Sequence, residues 1–131
     1  AEPPQAERVF VEGDDAMVLD LESFKHLLGG DMEIVCSILD EFIECAEICY
    51  AEAYTAFQQA DYDVARARFH KLAGSCAAVF ASQLHLYALN SERLLVDAVY
   101  SEQRWSPLLA AIDSCLPRLR AEIKQITTSG S

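Results

Sequence analysis

The sequence has few basic residues and no long apolar run, and each shortage excludes a class of protein. Ten Lys and Arg stand against 21 Asp and Glu, for a formal net charge of −11. This balance argues against a nucleic-acid partner, because phosphate contacts need clustered cations. No apolar stretch approaches the roughly 18 residues of a transmembrane helix, and the start AEPPQAERVF is unlike a signal peptide. We therefore expect a cytoplasmic domain without membrane contact.

The cysteines are also without a motif. The chain has five, with no CxxC pair and an odd count, a usage typical of reduced thiols rather than of a disulfide framework or a zinc site. The chain begins with Ala rather than Met, and we expect a domain cut from a longer protein.

Apolar residues recur with helical spacing, and neither alternating strand patterns nor hairpin signals appear. We expect a linker-like flexible segment over 1–16, helices over 17–126 and a disordered tail over 127–131. Four long amphipathic helices with short connections predict an all-α fold, an antiparallel four-helix bundle with a short additional N-terminal helix. The expected helices are 21–28 capped by Asp20, 31–60 capped by Asp31, one from Asp61 or Asp63 to residue 80, one from Ser82, and 102–126.

Apolar stripes on these helices indicate which faces form the core. The stripe on helix 31–60 includes Cys45 and Cys49, which are expected to be small buried hydrophobic residues. Its other members are Val35, Ile38, Phe42, Ala46, Ala53 and Ala56, and the stripe on the helix from Ser82 consists of Leu84, Tyr87, Ala88, Ser91, Leu95 and Ala98.

One histidine lies away from the core face of its helix. At about 100° per residue, the core arc of the third helix contains Ala65, Phe69, Leu72, Cys76 and Val79. His70 lies roughly 140° from the centre of that arc and should point toward solvent.

The residues around His70 are unusually small for a solvent-exposed helix face. Its neighbours on the helix surface include Ala67, Ala73, Gly74 and Ala77. A mid-helix glycine costs about 1 kcal/mol relative to alanine, so a compensating gain is expected. One interpretation is access to the imidazole for a partner; the other is close packing of a neighbouring helix, with His70 hydrogen-bonded in the groove. His26 and His85 lack such surroundings, and ordinary surface or edge roles are expected for both.

Most histidine chemistries lack their other components here. No nucleophile with a spaced acid partner indicates a catalytic triad, no Glu-x-x-His motif indicates a di-iron bundle, and no phosphate-binding glycine loop indicates ATP binding. An imidazole can still act as a nucleophile toward an activated group that a partner delivers.

The stretch HKLAGSCAAVFASQLHLYALNSE resembles the signature of the histidine phosphotransfer (HPt) family. On that pattern His70 corresponds to the phosphorylated histidine and Leu72 to the apolar position that follows it. Gly74, Ser75 and Cys76 correspond to the Gly-small-small element, and Leu84, Ala88 and Glu92 fall at the later spaced positions. The resemblance extends over roughly 18–126.

Two positions depart from the family pattern. Ala73 stands where the family usually has a lysine that could neutralise phosphate, and Phe80 where it commonly has glycine. Lys71 lies about 100° round the helix and Arg66 one turn earlier, so neither is an equivalent replacement. Gln83 is a candidate hydrogen-bond donor to a phosphoryl group.

The resemblance implies a phosphorelay intermediate without autonomous catalytic activity. His70 would accept a phosphoryl group from a receiver-domain aspartyl phosphate and pass it to another receiver, with Mg²⁺ on the receiver and no cofactor or metal on this chain. It also implies a monomer, and a module of a hybrid sensor kinase. The alternative is a non-transferring helical adaptor that binds a receiver. The residues expected to contact phosphate or the receiver are Arg66, Ala67, Lys71, Ala73, Gly74, Ala77 and Gln83.

Overall fold

The computed structural model describes residues 9–129, which form five helices and no strand. This confirms the all-α prediction. The helix bounds are α1 Leu21–Leu27, α2 Met32–Gln58, α3 Tyr62–Val79, α4 Ser82–Val96 and α5 Glu102–Ser129.

Short side chains and left-handed residues set the ends of these helices. Asp20 and Asp31 accept hydrogen bonds from backbone N–H groups in the first turns of α1 and α2, as predicted. Asp61 precedes α3 but makes no side-chain cap. Phe80 ends α3 in the left-handed conformation, with φ 64°, which lets the chain reverse into α4 within two residues.

Contacts between the long helices show that neighbours run antiparallel. In α2 and α5, Glu47 binds Arg120 and the earlier Asp40 lies 3.4 Å from the later Lys124. The same inverse order relates α2 to α3 and α3 to α4. Helix α2 also contacts α5, and α4 contacts α5. The four long helices therefore surround one core, with α1 against the start of α2.

The core is filled by aliphatic and aromatic side chains from all four long helices. Trp105 of α5 packs on Phe57 and Phe69, and its indole N–H donates to the Val99 carbonyl. The predicted inner face of α3 is confirmed, since all five of its residues are buried.

Two residues of the predicted α2 stripe lie outside the core. Cys45 is exposed and Ile38 is 37% exposed, because the buried face is centred on Leu39, Ile43 and Tyr50 instead. Cys49 is buried as expected. On α4 the predicted stripe is buried except for Ala98, which lies beyond the helix end with φ 56°.

The prediction of a free linker before the helices is wrong for residues 11–16. Val11 is buried, and the Asp14 carboxylate accepts hydrogen bonds from the Val11 N–H and the Tyr87 hydroxyl. Gly13 is in the left-handed region, and a Cβ there would come within 3.0 Å of Leu86. The segment is therefore packed against α4, which its lack of apolar periodicity concealed. The linker prediction for residues 1–8 lies outside the described residues.

The predicted disordered tail is also wrong in part. Residues 127–129 continue α5, and their hydroxyls donate to carbonyls of the preceding turn. Hydroxyl-to-carbonyl bonds of this kind are local and leave no apolar pattern in the sequence from which the end of the helix could be predicted. Residues 130 and 131 lie outside the described range.

We expect the buried amide of Gln83 to hold the N-terminal segment in place. Its Nε2 lies 3.1–3.3 Å from the carbonyl oxygens of Gly13, Asp14 and Ala16. Gln83→Ala leaves these groups without their donor, and urea unfolding should show a loss of about 1–3 kcal/mol. The exposed Gln125→Ala, in the interior of α5, should change the unfolding free energy by less than about 0.5 kcal/mol. Equal effects of the two substitutions would contradict this role.

Candidate functional site

His70 projects from the outer face of α3 into solvent. Its side chain is 76% exposed, whereas Phe69 and Leu72, on the inner face, are at most 1% exposed. The helix periodicity therefore placed this imidazole correctly. The interpretation in which a neighbouring helix packs over His70 is wrong, because the ring remains accessible.

A carboxylate on the next helix holds the imidazole. Glu92 of α4 places Oε2 2.8 Å from His70 Nδ1 and is itself only 20% exposed. An ionised carboxylate can only accept a hydrogen bond, so Nδ1 carries the proton and donates it. The lone pair of the neutral ring is then on Nε2. Sequence reasoning had placed Glu92 in the family pattern without recognising it as the partner of His70.

Small residues leave the surface around the imidazole open. Ala67, Gly74 and Ala77 are exposed as predicted. A Cβ added to Gly74 would meet no atom within 4 Å, so close packing inside this domain does not account for the glycine. No contact within the described structure offsets the loss of helix stability that Gly74 causes, which favours a role of Gly74 in contacts with another molecule.

Ala73 does not belong to this exposed surface. It is 4% exposed, because it lies about 60° from His70 on the side that packs against α4. Its carbonyl oxygen is 2.9 Å from His85 Nδ1. His85 is half-buried at the edge of the contact between α3 and α4, and His26 is exposed, in agreement with the edge and surface roles expected for them.

Gln83 is not part of the site either, which corrects the phosphoryl-donor prediction. It is 3% exposed; its amide group faces the N-terminal segment, and its carbonyl oxygen accepts from Arg118. Gln83 and Glu92 are nine residues apart in α4, so they lie about 180° from each other around the helix. Only Glu92 lies on the side of α4 that faces His70.

The basic residues of α3 point in different directions. Arg66 and Lys71 are exposed. Lys71 follows Arg68 by three residues and lies about 60° from it around the helix axis, toward α2. Its charge opposes the rise that burial causes in the pKa of the Cys49 thiol of α2. The Arg68 Nε lies 3.2 Å from a Glu52 oxygen, also in α2. Arg66 is thus the basic residue of α3 on the side of the helix that faces α4.

Within residues 9–129, no three His, Cys, Asp or Glu side chains are grouped so as to bind a metal ion. Burial raises the pKa of the Cys115 thiol to about 11 and raises those of Cys49 and Cys76. These core thiols therefore remain protonated at neutral pH.

The family model of the Hpt domain matches residues 37–126. The chain belongs to the Hpt domain family. Proteins of this family take part in phosphorelay signalling as phosphotransfer modules that interact with the receiver domains of response regulators, and this chain has that general role. Comparisons with curated proteins and with solved structures found no match. No helix between residues 9 and 129 combines the length and apolar character needed to cross a membrane.

The Glu92 contact should fix the tautomer of His70. In wild-type protein, long-range ¹H–¹⁵N spectra of the neutral ring should show the proton on Nδ1. Glu92→Ala removes the acceptor, so both tautomers should be populated, whereas Glu22→Ala, on the exposed face of α1, should leave the spectrum of His70 unchanged. A ring protonated mainly on Nε2 in wild-type protein would contradict the assignment.

The thiols should react in the order of their exposure. At pH 8 in native protein, a thiol reagent should label Cys45 first, and the raised pKa and burial of Cys49, Cys76 and Cys115 should make these three slow. Cys45→Ser should remove the fast phase, and all five thiols should react in guanidinium. Labelling of Cys115 at the rate of Cys45 would contradict the described core.

Proposed function

We propose that His70 accepts a phosphoryl group from the aspartyl phosphate of one receiver domain and passes it to an aspartate of another. The observation that carries this proposal is the accessible imidazole whose Nδ1 is bound by Glu92. An imidazole held in this way presents Nε2 as a nucleophile without any group on this chain having to remove a proton from it.

The transfer step then needs little beyond this ring. The Nε2 lone pair attacks phosphorus, the Nε2–P bond forms, and the bond from phosphorus to the aspartate oxygen breaks to release a carboxylate. Nδ1 keeps its proton, and the positive charge that develops on the ring lies beside the Glu92 carboxylate. In the second transfer an aspartate oxygen of the other receiver attacks phosphorus, the O–P bond forms as the Nε2–P bond breaks, and the imidazole leaves as the neutral form protonated on Nδ1.

The small residues around His70 make room for the receiver. At three positions of the exposed surface beside the ring, Ala67, Gly74 and Ala77 present no side chain longer than a methyl group. A docked receiver can therefore bring its phosphoryl group close to Nε2 and exclude water from the reaction. Phosphoryl transfer depends mainly on positioning and charge neutralisation. We assign Mg²⁺ and the charge-neutralising lysine to the receiver.

The wider setting follows from the same proposal. A relay between receivers requires a partner that delivers phosphate and one that takes it away, and the first is expected to be the receiver of a parent hybrid sensor kinase. We propose that the chain acts as a monomer in the cytoplasm, since one domain contains both His70 and Glu92.

The adaptor alternative depends on Ala73. Its methyl group supplies no positive charge beside His70, and a receiver-binding domain without that charge could have lost efficient transfer. The adaptor and the relay intermediate differ in one respect: binding of a receiver to the adaptor should be independent of His70.

The decisive experiment is transfer from radiolabelled phosphorylated receivers of the source organism, tested one by one. At least one receiver should label the wild-type domain rapidly with an acid-labile, base-stable phosphate. His70→Gln should abolish the label, because amide nitrogen is not a nucleophile toward phosphorus. His26→Gln, which changes another exposed histidine, should transfer within twofold of wild type.

Two outcomes would contradict the proposal. Label that persists in His70→Gln would show that another residue accepts phosphate. Receivers that bind equally to wild type and to His70→Ala, without labelling either, would establish the adaptor.

A further inference from the structure

The positive charges of α3 are divided between two sides of the helix. Arg68 lies next to Glu52 of α2, and Lys71 lies toward Cys49 of the same helix. Arg66 is exposed, and among residues 9–129 no carboxylate lies within ion-pair distance of its guanidinium. Its charge is therefore available to a ligand.

The helix geometry brings Arg66 to the imidazole. Arg66 and His70 are four residues apart, which separates them by about 40° around the axis and one turn along it. Side chains on a helix lean toward its N-terminus, so the His70 ring lies over the turn that contains Arg66. A guanidinium on a flexible stem can reach a group attached to Nε2 from there.

The other neighbours of the ring cannot supply this charge. Ala73, on the side toward α4, ends in a buried methyl group, and Glu92, which contacts the ring itself, is an anion. A phosphoryl group on Nε2 would add two negative charges at this place. On a chain of net charge −11, such a group gains most from an unpaired cation on its own side of the helix.

We propose that Arg66 binds the phosphoryl group on His70 and stabilises the phosphorylated form of the domain. The inference rests on the proposed function. The Arg66 guanidinium donates hydrogen bonds to the phosphoryl oxygens and forms no covalent bond. Arg66 thus sets how the phosphate divides between this domain and its receivers.

The equilibrium constant of transfer tests this role separately from docking. Once transfer has come to equilibrium between dissociated proteins, the ratio of phosphorylated domain to phosphorylated receiver is independent of the stability of their complex. The receiver is the one that labels the wild-type domain in the experiment above. Arg66→Gln should lower the phosphorylated share of the domain about two- to fivefold, as expected for a cation close to a dianion in screened solvent.

Matched variants distinguish binding of the phosphoryl group from a general effect of charge. Lys71→Gln removes the same charge one residue beyond His70, on the side toward α2. A contact between Lys71 and a docked receiver does not enter the equilibrium constant of the dissociated proteins, so this constant should change by less than about 1.5-fold. Arg66→Lys keeps the charge and should retain most of the wild-type value. The difference between wild type and Arg66→Gln should shrink in 0.5 M KCl.

Each result has a distinct meaning. If His70 is labelled but Arg66→Gln matches wild type, or if Lys71→Gln lowers the constant as much, Arg66 does not bind the phosphoryl group and the proposed function stands. If no receiver labels the wild-type domain, the proposed function itself is wrong. Circular dichroism should show the wild-type helix content in Arg66→Gln, since the side chain is exposed.

Discussion

The antiparallel contact between α3 and α4 determines the geometry of the whole site. Packing of α3 in the bundle buries Phe69, Leu72 and Cys76 on its inner side, and His70, which lies between them in the sequence, is turned to the outer side. The contact with α4 brings that helix beside His70, so that Glu92 reaches His70 Nδ1. A shift of one helix by a turn, about 5.4 Å, would leave the histidine exposed but without its carboxylate.

The chemistry of the site depends on how little the protein places there. The chain provides one nucleophilic nitrogen, an anion that fixes its tautomer, and a surface of methyl groups and one glycine. Metal chemistry and the charge neutralisation that Arg66 does not supply can remain with a partner, because phosphoryl transfer needs positioned charges more than covalent help. In the proposed transfer such an arrangement would serve a donor and an acceptor equally, since the imidazole would attack and leave in the same protonation state.

The periodicity of apolar residues in the sequence predicted those features of the structure that depend on one helix alone. The inner face of α3 and the exposure of His70 follow from the spacing of apolar residues, and Asp20 and Asp31 marked two helix starts. The pairing of His70 with Glu92 depends on the rotation and offset of two helices, which no single-helix pattern contains. Gln83 was misassigned for a related reason: its surroundings are made by residues 13–16, an irregular segment without apolar periodicity.

The attachment of that irregular segment has a further consequence. Gln83 anchors residues 13–16 to the side of α4 that lies opposite Glu92, so the chain enters the bundle from behind the reactive ring. A folded protein can therefore approach the imidazole along the outer surface of α3 without displacing residues 13–16. The same would hold for a second protein that docks after the first has left.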